Sequence, residues 1–244
     1  MVAVAGMRRG LGTTTAAMNL AAALVQQGKE VLLVDEHRLA AESACAVWSI
    51  YANGNTGAAG VIADCGVAVL AACDGALPQD ADPHRLRPAD VVLIDAALDE
   101  AGGLSPLACL ADELVVVLQP DAASVTATYS GIKRLHYAHA LRQLRFLVNG
   151  VADPAAARQI MANLVDTGSR YLAVSLQPAG WVRADPHLQQ ARRLNHTVVE
   201  AFPASPAAAD FRRIAADMGQ WAWRPAASLA LPAARQAPTN TAAA

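Results

Sequence analysis

The chain has 244 residues, ample for one large α/β domain with a sizeable core, and its net charge of −2 gives no general attraction to nucleic acid. Apolar residues make up 54% but aromatics only 5%, a balance that suits an Ala/Val/Leu-rich α/β protein. No apolar run approaches the roughly 18 residues that read as a membrane span, and no signal peptide opens the chain. Its four cysteines (Cys45, Cys65, Cys73, Cys109) form no C-x-x-C pair. Reduced thiols in the cytoplasm are therefore expected, without a zinc site.

The first 35 residues organise the rest. Met1–Ala5 is a short apolar strand, Gly6–Thr15 is a Gly/Thr-rich loop, and Ala16–Gln27 is an Ala- and Leu-rich helix. Gly28 and Lys29 stop that helix, and Val31–Val34 is an apolar strand ending on Asp35. A β-α-β unit whose helix opens from a glycine loop is a phosphate-binding arrangement, because loop amides and the positive helix end both face an anion. Position 13, directly after Gly12, carries the lysine of an ordinary phosphate loop; here it is Thr13.

Further along, Arg38–Tyr51 reads as a helix, and Asn53 to Gly60 reads as a glycine-marked loop. Val67–Ala71 is a strand, and Pro78 to Pro88 is a surface loop. Asp90–Asp95 is a buried parallel strand that delivers a second acid at its carboxyl end. In open parallel sheets the ligand crevice lies outside those carboxyl ends, which makes Asp35 and Asp95 candidate site residues. Leu104–Ala111 reads as a helix, Glu113–Leu118 as a strand, Ala122–Leu141 as a long helix and Leu144–Val148 as a strand ending on Asn149 and Gly150. Pro154–Ser169 is helical, Leu172–Leu176 and Gly180–Val182 are short strands, and Asp185–Arg193 and Ser205–Trp223 are the last helices. The alternation predicts a doubly wound, mostly parallel sheet flanked by helices in one domain over residues 1–223. Residues 224–244 are Pro/Ala-rich and read as a disordered tail.

Taken together, the glycine loop, the Thr-rich helix start and the two strand-end acids resemble the MinD/ParA group of P-loop ATPases, which carry a deviant Walker A motif. Gly10, Leu11, Gly12, Thr14 and Thr15 match that motif, and AAMNLAAALVQQGKEVLLVD matches the group's helix and strand after it. The segments NGVADPAAARQIMANL and WVRADPHLQQARRLNHTVVEAFPASPAAADFRRIA are similar to the flagellar-number-regulator (FlhG/FleN-type) branch. The resemblance implies ATP or ADP with Mg²⁺ as ligand. It places Arg8 through Thr15 (Arg8, Arg9, Gly10, Leu11, Gly12, Thr13, Thr14 and Thr15) around the phosphates and Asn149 at the adenine edge. It gives Thr14, Asp35 and Asp95 to the metal, with Asp35 and Asp95 as the catalytic acids. Arg8 falls where the group has the lysine that reaches a partner subunit's nucleotide, so a homodimer is implied.

The chain departs from the pattern in charge. Thr13 replaces the loop lysine, His37 replaces the second acid of the first switch, and Asp99 replaces a glycine four residues after Asp95. A charge-assisted contact contributes roughly 1.5–3 kcal/mol, so losing one weakens phosphate binding by about ten- to a hundredfold. Catalysis should suffer more, since that charge acts on the transferring phosphoryl group. The reading is a MinD-like regulator of flagellar number, placement or biosynthesis with weakened nucleotide binding and little or no hydrolysis. By resemblance its partners are the flagellar signal-recognition-type GTPase, the master transcription activator and switch-complex proteins. The branch's activating segment is not seen ahead of Gly6, which counts against activation of that GTPase. The competing readings are an active MinD/ParA-type positioning or partition ATPase, which Thr13 speaks against, and a metabolic ligase on the same fold, which would need the lysine.

Two other features allow more than one reading. Phe211, Ile214, Met218 and Trp221 fall on one face of the last helix; core packing is preferred over weak membrane contact by the 208–223 stretch at the inner membrane or cell pole. His136 and His139 lie three apart without an apparent third metal ligand and read as surface residues.

Overall fold

A computed structural model describes residues 1–37, 60–72, 89–172 and 174–221. The predicted helix at 38–51, the loop at 78–88 and the tail at 224–244 lie outside the described residues, as do Cys45 and Cys73. One eight-stranded sheet runs through the molecule in the order β3-β4-β2-β5-β1-β6-β7-β8. Its strands are β1 (Val2–Gly6), β2 (Val31–Asp35), β3 (Gly60–Ile62), β4 (Ala68–Ala71), β5 (Val91–Asp95), β6 (Glu113–Leu118), β7 (Gln143–Val151) and β8 (Ser175–Arg183). Every neighbouring pair is parallel except β3 against β4, so an antiparallel edge closes a seven-stranded parallel sheet. The doubly wound α/β expectation is met.

The central strands are apolar on both sides because both sides are covered. Helix α1 (Thr13–Gln26) packs on one face with α5 (Val198–Ala201) and α6 (Pro206–Met218), while α2 (Ala122–His139) and α3 (Pro154–Tyr171) cover the other. Helix α4 (Pro186–Arg193) leads from β8 into α5. The end of α1 is set by its sequence. Gly28 takes φ +78°, Gly28 N donates to Val25 O and Lys29 N to Leu24 O, a Schellman closure that only a residue without Cβ makes at little cost. The chain then enters β2 directly.

Some local expectations fail for identifiable reasons. The pattern at Leu104–Ala111 predicts a helix, yet only Ala108–Leu110 forms a short 3₁₀ turn, because Ser105 Oγ accepts from Ala108 N and the serine also serves an acid elsewhere. The two short strands predicted at 172–176 and 180–182 are one strand, β8, carried across Pro178 at the sheet edge by a register shift opposite Phe146 and Leu147. Leu172 instead closes α3. Gly60, expected in a loop, begins β3. Helix α2 ends at His139, not Leu141, where Ala140 turns left-handed at φ 53°.

The last helix packs on the sheet. Phe211, Ile214 and Met218 are each about 1% exposed and Trp221 is 8% exposed, all within the α1-side core. Burying side chains of this size stabilises by roughly 1.5–3 kcal/mol each, and it leaves that stripe no free face for a membrane. Among the described residues no helix is long and apolar enough to cross one.

Candidate functional site

The loops leaving the carboxyl ends of β1, β2 and β5 surround a cleft of about 820 Å³. Its floor is the glycine loop. Gly10 (φ +83°) and Gly12 (φ +84°) are both left-handed, which curls the backbone so that successive N–H groups point one way. Helix α1 makes its first bond from Ala16 N to Gly12 O, and no side chain caps its start. The amides of Thr13, Thr14 and Thr15 thus precede the hydrogen-bonded part of the helix and face the cleft, as an anion site requires.

The loop is braced from beneath. Leu11 is buried, Gln119 Nε2 donates to Gly10 O at 3.3 Å, and Asn149 Nδ2 donates to Leu11 O at 2.9 Å. A Cβ on Gly12 would stand 2.3 Å from that same Asn149 nitrogen, and one on Gly6 would stand 2.3 Å from Thr13 Oγ1. Thr13 therefore folds its hydroxyl back toward Gly6. No cation of the loop helix occupies the lysine position, while Arg8 and Arg9 are exposed at the rim. Asn149, expected at the adenine edge, also braces the loop backbone through its bond to Leu11 O.

The two strand-end acids come together as the sequence implied. Asp35 and Asp95 are register partners on β2 and β5, and both are fully buried. Asp35 Oδ1 accepts from His37 N at 2.9 Å, and the His37 ring places Nε2 3.6 Å from Asp95 Oδ1. Neither carboxylate oxygen of Asp95 has a hydrogen-bond partner among the described residues. Two adjacent buried carboxylates demand positive charge nearby. His37 answers part of that demand: Asp95 raises its pKa, burial opposes, and Asp35 and Glu36 add to the rise. Asp95, without a hydrogen bond among the described residues, is the kind of oxygen donor a hard divalent cation such as Mg²⁺ takes, but no group of three His, Cys, Asp or Glu among those residues is set to hold one.

Glu36 carries no motif that singles it out in the sequence, yet it joins the two acid-bearing loops. Its Oε2 accepts from Ala97 N at 3.1 Å and its Oε1 from Ser105 Oγ at 2.5 Å, which ties the end of β2 to the segment after β5. Burial pushes its pKa up, against the lowering effect of those two bonds. The available signal is its position directly after Asp35, which strand alternation discounts by turning such a residue away from its neighbour.

The other wall is formed by the α4–α5 turn. Asn19 on α1 locks it there: Oδ1 accepts from Val198 N at 2.9 Å and Val199 N at 3.3 Å, while Nδ2 donates to Thr15 O at 2.8 Å. Arg192 and His196 line the cleft from this turn. Arg134 on α2 lies over Gly102, where a Cβ would be 3.2 Å from its Cζ, and lines the cleft from the opposite side. These two arginines also escape sequence reasoning, since nothing in the sequence links them to the loop. Asp99 caps its own turn through Gly103 N at 2.7 Å and is exposed, as is Glu100.

The histidine pair on α2 closes local structure. His136 Nδ1 lies 2.7 Å from Leu141 O, and His139 Nε2 accepts from Leu104 N at 3.1 Å with Nδ1 3.4 Å from Cys109 Sγ. Among the described residues no set of three His, Cys, Asp or Glu includes them as a metal site.

Comparison with known proteins agrees with this architecture. Residues 1–40 match the family model of the cellulose biosynthesis protein BcsQ. Over 91% of the chain and 86% of its own length, the antiactivator FleN of Pseudomonas aeruginosa is 27% identical. Among solved structures, the chain is similar to the MinC:MinD cell division protein complex of Aquifex aeolicus, with a TM-score of 0.69 and 18% identity over 92% of this chain and 97% of that one. It is also similar to the septum site-determining protein MinD of Pyrococcus horikoshii complexed with Mg-ADP, with a TM-score of 0.60 and 22% identity over 89% and 94%. The fold is the MinD/ParA-type P-loop fold, and the similarity to FleN bears out the resemblance to the flagellar-number branch.

Proposed function

We propose that this chain is a MinD-like regulator of flagellar number that acts through protein partners, holding an adenine nucleotide weakly and hydrolysing it slowly or not at all. The observation that carries the reading is the split within the glycine loop. Its backbone is left-handed at Gly10 and Gly12, a curl that suits an anion, while the helix position that carries the phosphate-loop cation holds Thr13, turned back toward Gly6. Similarity to an antiactivator over nearly the whole chain supports a role played through partners rather than turnover. In this reading the amides of Thr13–Thr15 receive the phosphates and the Thr13 hydroxyl offers at most one neutral hydrogen bond. Thr14, Asp35 and Asp95 would hold Mg²⁺, which when bound neutralises phosphate charge. Glu36 keeps the two acid-bearing loops in register with each other. The branch's partners, the master transcription activator, the signal-recognition-type GTPase and switch-complex proteins, are the ones to assay.

Calorimetry with ATP and ADP, followed by a steady-state phosphate-release assay on the pure chain, tests the reading. The expected result is weak binding and turnover near background, with Thr13→Lys tightening ATP binding by about ten- to a hundredfold. Robust turnover that Asp35→Ala abolishes would sink the weak-hydrolysis reading. A co-purification series with the flagellar activator and the GTPase, read beside filament counts in a deletion strain, tests the regulatory half. Unchanged filament number would count against it.

A further inference from the structure

The residue that most alters the chemistry of this cleft is His37. Asp35 and Asp95 end neighbouring strands in register, fully buried, and a divalent cation held at this acid pair would need the Asp95 carboxylate. That carboxylate accepts no hydrogen bond among the described residues, so its nearest compensating group is the His37 ring, with Nε2 3.6 Å from Oδ1. The ring is held there by its own backbone. His37 N donates to Asp35 Oδ1 at 2.9 Å, and the preceding Glu36 is pinned by Ala97 N and Ser105 Oγ. The imidazole lines the cleft and is 28% exposed, so it stands between the buried acid and whatever enters. An incoming cation meets a nitrogen already set against the oxygen it needs. A hard metal gains little from imidazole in exchange, since it favours oxygen ligands.

We propose that His37 competes with a divalent cation for Asp95, so that this cleft binds its phosphate-bearing ligand with little dependence on metal. The exposed arginines that line the same cleft, Arg8, Arg9, Arg134 and Arg192, make no ion pair among the described residues and supply positive charge that does not require a metal. The inference rests on the nucleotide reading for its ligand, but its claim about the metal stands on the acid pair alone.

The test titrates Mn²⁺ into the full chain, following free Mn²⁺ by electron paramagnetic resonance, with and without ADP. Without ADP, His37→Asn, which removes the ring and adds no acid, should bind Mn²⁺ at least several-fold more tightly than the parent, and His37→Asp more tightly still. Equal Mn²⁺ affinity in the parent and in His37→Asn, both shown folded by circular dichroism, overturns the inference whether or not nucleotide binds. With ADP as the probe, calorimetry on the parent should give affinities within about twofold in EDTA and in Mn²⁺, whereas His37→Asp should lose tenfold or more in EDTA. A parent that binds ADP only with metal overturns the inference and leaves the nucleotide reading intact. A parent that binds no ADP under either condition ends the nucleotide reading, while the Mn²⁺ comparison still decides the role of His37.

Discussion

Buried charge occurs at both ends of the sheet, and the two ends treat it differently. At the amino end, Glu113 on β6 and Arg145 on β7 face each other at 3.5 Å, and the guanidinium lies 4.3 Å over the ring of Trp221. One acid meets one base, and the base stacks on an aromatic ring that closes the core beneath α6. At the carboxyl end two acids, Asp35 and Asp95, share one half-buried imidazole, and the second acid has no hydrogen bond among the described residues. The first arrangement matches charge for charge within the fold, although the facing Glu113 Oε2 and Arg145 Nε make no hydrogen bond with each other. The second, among the described residues, sets two acids against one imidazole, an imbalance of the kind found where a ligand is received rather than where the molecule is held together.

The largest expected effect breaks the balanced end. Arg145→Ala leaves Glu113 buried without its cation and removes the stacking on Trp221. Breaking one partner of a buried pair costs about 3–5 kcal/mol. Urea unfolding should show a loss of that size, and the double change Glu113→Gln with Arg145→Met should recover most of it. A loss below about 1 kcal/mol in Arg145→Ala would mean that the ion pair and the ring contact add little, and that this end is not balanced in the sense argued.

The same contrast explains what could be read from the sequence. The amino-end pair is invisible there, because Glu113 and Arg145 belong to different strands and nothing local announces that they meet. The carboxyl-end acids are legible because each ends an all-apolar run, and strands that run parallel place such ends side by side. The glycine loop is legible for a similar local reason, since Gly10 and Gly12 are needed for left-handed backbone. Asn149 is expected at the adenine edge, and its bond to Leu11 O depends on the spacing of β7 from β1 across β6, which no local pattern encodes. The failure at Leu104–Ala111 has a long-range cause too: Ser105 is drawn to Glu36, and the turn it caps stays 3₁₀. Arg134 and Arg192 reach the cleft from helices on opposite faces of the sheet, so only the assembled fold brings them to one opening.

An intermediate effect tests the ligand-receiving end. Asp95→Asn removes one of two adjacent buried charges and keeps the shape of the side chain. If the acid pair is kept for function, the variant should be as stable as the parent or more stable, by up to about 1–2 kcal/mol, a trade often seen when active-site charge is neutralised. Thermal unfolding without ligand provides the measurement. Destabilisation beyond about 2 kcal/mol would make Asp95 a structural acid, on a par with Glu113.

The smallest effect concerns an acid whose two carboxylate oxygens are both hydrogen-bonded. Asp185, at the start of α4, accepts from His187 N at 2.9 Å and, through its other oxygen, from Ala207 N at 3.0 Å, with the His187 ring 2.8 Å away. Burial alone would raise its pKa, but the Ala207 and His187 bonds outweigh burial and leave it below the ordinary value near 3.8. A carboxyl whose folded pKa is depressed contributes stability that is present above the unfolded value and is lost as pH falls through the folded one. The stability gap between the parent and Asp185→Asn should therefore be constant from neutral pH down to about 4 and should narrow below it, as protonation takes from the parent what the variant already lacks. Urea unfolding at a series of pH values from 6 to about 2.5 measures the gap. A gap that stays constant over the whole range would show that these bonds do not favour the ionised form of Asp185. Asp95 could then no longer be set apart from it by the bonds it lacks.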